Sequence, residues 1–153
     1  MANPDAVAQL YLDSFGNGRI GSAQAVSLST VANATVAIPL LVGGLTNSGN
    51  VVGSGAVIVR RITVNNPSGS LSSANVSITT SNDGNTSNAV VAVTNLANLT
   101  AAGRYQDLTI ASPYSTTTAI TGNVTSALYV NVSAASGNTN VASFNVYGDV
   151  VQF

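Results

Sequence analysis

The hydrophobic positions of this chain fall in short runs. Most of the runs alternate with polar residues in steps of two, the repeat of an extended strand with one covered face. Residues 127–133 (ALYVNVS) set Leu128, Val130 and Val132 on one face and Tyr129, Asn131 and Ser133 on the other. In residues 141–151 (VASFNVYGDVV), Ala142, Phe144, Val146 and Val150 line up opposite Ser143, Asn145, Tyr147 and Asp149. Joined by the loop 134–140, these two predict a closing hairpin in which Phe144 and Val146 face Val130 and Val132. The most β-branched run is 56–64 (AVIVRRITV), closed by the turn sequence Asn65-Asn66-Pro67-Ser68-Gly69. Residues 75–80, 89–94 and 105–111 read as three more strands, the last stopped by Pro113. Upstream, 24–31 and 34–42 add two, the second held to a sheet edge or bent by Pro39. Seven or eight short strands, with no helical period after residue 22, predict an all-β fold: an antiparallel β-sandwich, of jelly-roll type, with an N-terminal arm.

One strand breaks the pattern. Alternation groups Arg60 with Ile58, Ile62 and Val64, and Arg61 with Val57, Val59 and Thr63, so one guanidinium must point toward an apolar face. A desolvated arginine needs a carboxylate. Asp107 and Asp149, each central in its strand, are the candidates. Two readings stay open: an arginine pair across a subunit interface, or an arginine at a sheet edge reaching out to water.

Residues 1–22 read as an arm or linker ahead of a sandwich domain at 23–153. Asn3 can cap a helix, Pro4 fits its first position, and Val7, Leu10 and Tyr11 share one helical face. An extended arm fits equally, and so does a strand of the sandwich built on Leu10, Leu12 and Phe15. An apolar set (Val7, Leu10, Tyr11, Leu12, Phe15) followed by the glycine-rich stretch 16–21 suits an arm that reaches a neighbour. Val7, Leu10, Tyr11 and Phe15, with Arg60 and Arg61, are the candidate interface residues.

Composition narrows the function. Of 153 residues 45% are hydrophobic, as in a folded domain. Only 6% are charged, against roughly a quarter in a typical soluble domain. There is no Lys, Glu, His, Cys or Trp; the acids are Asp5, Asp13, Asp83, Asp107 and Asp149, the bases Arg19, Arg60, Arg61 and Arg104. A surface with so few charges and net charge −1 has little electrostatic protection against association, which suits a subunit docked in an array. A general avoidance of Lys and Glu would give the same composition. Four scattered arginines make no phosphate-neutralising patch, so no nucleic-acid partner is expected. The apolar runs are too short for a membrane helix, and the start, MANPDAVAQL, lacks the basic and apolar segments of a signal peptide.

Chemistry is excluded mostly by what is missing. Without His, Lys, Cys or Glu the usual general bases and nucleophiles are absent, and no serine can be activated in the familiar way. The reading is a non-enzyme with no cofactor and no metal. The string Gly16-Asn17-Gly18-Arg19-Ile20-Gly21 matches a dinucleotide fingerprint in letters only, since a strand-like segment follows it and no acid stands at 36–42; it reads as a flexible turn. Asn82-Asp83-Gly84-Asn85 lacks the carboxylates of a calcium loop and reads as a hairpin turn. Six Asn-x-Ser/Thr triplets, at Asn33, Asn75, Asn85, Asn98, Asn123 and Asn131, carry little in a chain this rich in Asn, Ser and Thr.

Three stretches, 59–80 (VRRITVNNPSGSLSSANVSITT), 98–110 (NLTAAGRYQDLTI) and 127–151 with its Tyr147-Gly148-Asp149 ending, resemble small β-structured head proteins of tailed bacteriophages. The resemblance implies a capsid decoration (cement) protein: a jelly-roll or related β-fold, trimeric at three-fold positions, clasping neighbours through an N-terminal arm. The expected partners are therefore further copies of itself, as a trimer, and the major capsid protein, on the capsid exterior of the virion. Rival readings are another virion component (minor shell, spike or tail-fibre module) and a carbohydrate-binding adhesin domain. The last needs exposed aromatics, for which the chain offers Tyr11, Tyr105, Tyr114, Tyr129 and Tyr147.

Overall fold

Strands form where the sequence alternates or carries β-branched runs, and turn residues end them. The structure, a computed structural model, describes residues 18–40, 55–83, 85, 87, 89–111, 120–122 and 127–152. Its strands are β1 (Gly18–Ser27), β2 (Ala32–Pro39), β3 (Gly55–Asn65), β4 (Asn75–Thr79), β5 (Ala89–Asn95), β6 (Gln106–Leu108), β7 (Ile120–Gly122), β8 (Ala127–Ala134) and β9 (Val141–Gln152). They make two antiparallel sheets packed face to face, ordered β1-β9-β3-β6 and β2-β8-β4-β5. The short β7 pairs with Gly55–Val57 of β3, and β6 pairs with Ile62, Thr63 and Val64 further along the same strand. Leaving β7 aside, the pairings nest: β1 with β9, β2 with β8, β3 with β6, β4 with β5.

The core lies between the layers and draws on both. Val59, Ile62, Val64, Phe144 and Val146 of one sheet join Ile38, Val76, Ile78, Leu128, Val130 and Val132 of the other in a single buried cluster. Each such side chain, fully covered, contributes about 1.5–3 kcal/mol. Leu71, Leu96 and Leu99, from the connections at one end, close the core there.

The faces follow the expected alternation, but the strand partners do not. Leu128, Val130 and Val132 are buried, as are Ala142, Phe144 and Val146. Yet β8 and β9 belong to different sheets, so the closing hairpin is replaced by a crossover from one layer to the other. Alternation decides which face of a strand is covered, not which sheet the strand joins. The strand placed at 24–31 begins instead at Gly18, so residues 18–22 are sandwich rather than arm, and the flexible-turn reading of 18–21 is corrected. Gly21 lies opposite Val146 and bridges to Leu40, tying the edges of the two sheets together. Pro39 ends β2, which is an edge strand as expected. The strand expected at 105–111 shortens to β6.

Candidate functional site

Strand β3 carries one residue more than its neighbour β9 between the pairs Val59–Gly148 and Arg61–Tyr147, and the extra residue is Arg60. This β-bulge resets the alternation. Val59 before it and Ile62 and Val64 after it are all buried, while both arginines lie on the outer face. The expectation that one guanidinium points to the core is thereby corrected: a single inserted residue removes the conflict. The Arg60 Nε donates to Asp149 Oδ2 at 3.0 Å. Arg61 grips Asp107 with two parallel bonds, Nε to Oδ1 at 3.0 Å and Nη2 to Oδ2 at 2.9 Å. The two carboxylates expected as partners are both used, one by each arginine.

The backbone of β9 is shaped to admit the bulge. A β-carbon on Gly148 would run into the carbonyl oxygen of Ile58. Only glycine lets β3 and β9 stay paired while Arg60 is accommodated.

The charges are segregated. Arg19 on β1 pairs in register with Tyr147 on β9, which pairs with Arg61 on β3, and Arg60, Asp149 and Asp107 stand beside this row. No strand of the β2-β8-β4-β5 sheet contains a charged residue. Further along the charged sheet, the same outer face becomes an uncharged hydrogen-bonded lattice. Ser143 Oγ donates to Gln24 Oε1 at 2.9 Å, Gln24 bonds Ser22, Ser22 Oγ donates to Asn145 Oδ1 at 3.0 Å, and Asn145 Nδ2 donates to Asn65 Oδ1 at 3.0 Å. The hydroxyl of Thr63, between this lattice and the Arg61–Asp107 pair, is the one buried side-chain polar atom among the described residues with no partner.

Ser143, Asn145 and Thr63 are buried, so the ion pairs are the more accessible part of this face. The Arg60–Asp149 pair is half exposed, with side chains 42% and 52% accessible. An exposed pair contributes only about 0–1 kcal/mol, so it exchanges one partner for another at little cost. Arg61, 18% accessible, is the anchored member. Neither aspartate stands free as a base, since each accepts from an arginine. Among the described residues no three His, Cys, Asp or Glu groups gather as a metal site, and no helix is long and apolar enough to cross a membrane.

Of the six expected interface residues, the structure brings Arg60 and Arg61 together on the outer face, and Val7, Leu10, Tyr11 and Phe15 lie outside the described residues. Sequence reasoning missed Arg19 and Tyr147 as members of the same row. Only the register of β1, β9 and β3 aligns them, and no local pattern signals it. No family model matches this chain, and no curated protein or solved structure is found to resemble it.

Proposed function

We propose that this chain is a structural virion subunit, a decoration (cement) protein that docks on the outside of a tailed-bacteriophage capsid and stabilises the shell. The observation that carries the reading is the nested strand pairing. With β7 set aside, the first described strand pairs with the last, the second with the second-last and so inward, which supports a jelly-roll reading, an arrangement used by capsid proteins, lectins and cupins. Cupin metal chemistry needs ligands this chain lacks, as it has no histidine. A shell-bound role suits the sparse charge, and the clustering of Arg19, Arg60, Arg61, Asp107 and Asp149 on one sheet supplies a surface whose electrostatics fix orientation on a partner.

The mechanism is burial of surface. A rigid sandwich, as a trimer, spans seams between copies of the major capsid protein and adds contact area that expansion or internal pressure must break. It needs no cofactor and performs no catalysis. Electron microscopy of shells mixed with the purified chain tests this: the reading requires regularly placed density on the exterior, at three-fold positions. Bare shells, or density inside them, overturn it.

A further inference from the structure

The connection between β5 and β6 differs from the other connections at its end of the sandwich. In the β3–β4 and β8–β9 connections the polar side chains are committed to one another. Asn138 and Asn140 donate to the Ser70 carbonyl at 2.9 and 3.1 Å, Ser73 Oγ donates to the Ser136 carbonyl at 2.8 Å, and Ser68 Oγ accepts from the Val141 amide at 3.0 Å. Residues 97–105 do the opposite. Their backbone is held firmly: buried Leu96 and Leu99 plug the core, the Leu71 amide donates to the Leu99 carbonyl at 2.7 Å, and Gln106 hooks the turn by accepting from the Asn98 amide and donating to the Asn95 carbonyl. On this fixed platform the side chains of Asn98, Thr100, Arg104 and Tyr105 make no hydrogen bond with any described residue.

Those side chains line a shallow hollow of about 700 Å³, together with Ala97 and Asp107. That size is in the range of about 300–1,000 Å³ of small-ligand sites. Tyr105 is 63% exposed, one of three large hydrophobic side chains left so open among the described residues. Asp107 faces the hollow from β6 with both oxygens already bonded to Arg61, and each oxygen retains a lone pair for a second donor.

We propose that this hollow binds a neutral saccharide. The walls combine one aromatic ring with a guanidinium, a carboxylate, an amide and a hydroxyl. That set matches a pyranose, with its C–H face on the ring and its hydroxyls on the polar rim. An apolar side chain finds no lining beyond Ala97 and the Tyr105 ring. A simple anion finds one cation in the lining, Arg104, with the Asp107 carboxylate beside it already neutralised by Arg61. The platform is ordered before any ligand arrives, which removes part of the entropic cost of binding. This inference stands on the hollow alone and holds or fails independently of the shell reading.

The test is an amide-resolved NMR titration of the full chain with glucose, galactose, mannose and N-acetylglucosamine, each at tens of millimolar, with inorganic phosphate in parallel. At least one sugar shifts amides confined to 97–107, Tyr105→Phe retains the effect, and Tyr105→Ala weakens it by about tenfold or more. Tyr105 is exposed, so the truncation leaves the remaining spectrum unchanged. Three outcomes overturn the proposal: no sugar moves these amides, Tyr105→Ala binds as the parent does, or phosphate shifts the same amides more strongly than any sugar.

Discussion

Gly148 and Ala25 show how much of this fold depends on single backbone positions. At Gly148 the obstacle to a side chain is the Ile58 carbonyl, part of a paired strand that cannot swing aside. Gly148→Ala is expected to cost about 1–3 kcal/mol in urea unfolding, the usual range for forced overpacking; an unchanged midpoint would mean the bulge relaxes freely. Ala25 is the opposite case. It sits in the irregular stretch of β1 between the pairs Ala23–Phe144 and Val26–Ala142, with φ at 52°. A left-handed conformation costs a non-glycine residue about 1–2 kcal/mol, and glycine gives back about 0.5–1 kcal/mol through its looser unfolded chain. Ala25→Gly should therefore leave stability unchanged or raise it by up to about 1.5 kcal/mol. A clear loss in the same melts would show that the methyl group makes contacts outweighing the strain. At Asp83 the Ser81 hydroxyl and then the Asn85 amide hold the carboxyl below its ordinary range. What this contributes is present above the unfolded carboxylate pKa and is lost as pH falls through the lowered folded value.

Among the described residues, the edge strands β1, β2, β5 and β6 each carry a feature that works against pairing with another chain. β1 has two irregularities, β2 has one and ends on Pro39, β5 holds an extra residue between Val91 and Thr94, and β6 is three residues long with Asp107 at its centre. Arg61 has a second duty here, because its two bonds to Asp107 fasten the short β6 to β3. A double-mutant cycle with Arg61→Ala and Asp107→Asn should give a coupling of about 0.5–1 kcal/mol that shrinks with salt. A coupling near zero would mean β6 is held by Leu108 and the Gln106 hook alone. At this scale the sequence was legible in part. The alternation of 127–133 and 141–151 identifies two strands and places Leu128, Val130, Val132, Ala142, Phe144 and Val146 correctly on buried faces. The β-branched run at 56–64 identifies a third strand, but alternation separates Val59 from Ile62 and Val64, with which it is buried. The bulge at Arg60 was not legible, because an inserted residue is defined by the partner strand's register and leaves no mark in its own strand. Both carboxylates were nonetheless foreseeable, since so few acids were on offer.

For the whole molecule, the sheet assignment was the part hidden in the sequence. Period-two patterning is the same for a hairpin and for two strands in opposite layers, so the crossover between β8 and β9 becomes visible only when β1, β3 and β9 are seen paired together. The charge segregation emerges at the same moment: the charged residues of the strands gather on one sheet once the order is known. The sparse charge of the chain and the one charged face among the described strands support the proposed docking against a fixed partner. For the proposed decoration role, the direct measurement is the temperature at which shells assembled from the partner major capsid protein rupture, with and without a saturating amount of this chain. The account predicts saturable binding and a rupture temperature raised in proportion to occupancy. Full occupancy with no change in rupture temperature, or no binding at micromolar concentration, would contradict it.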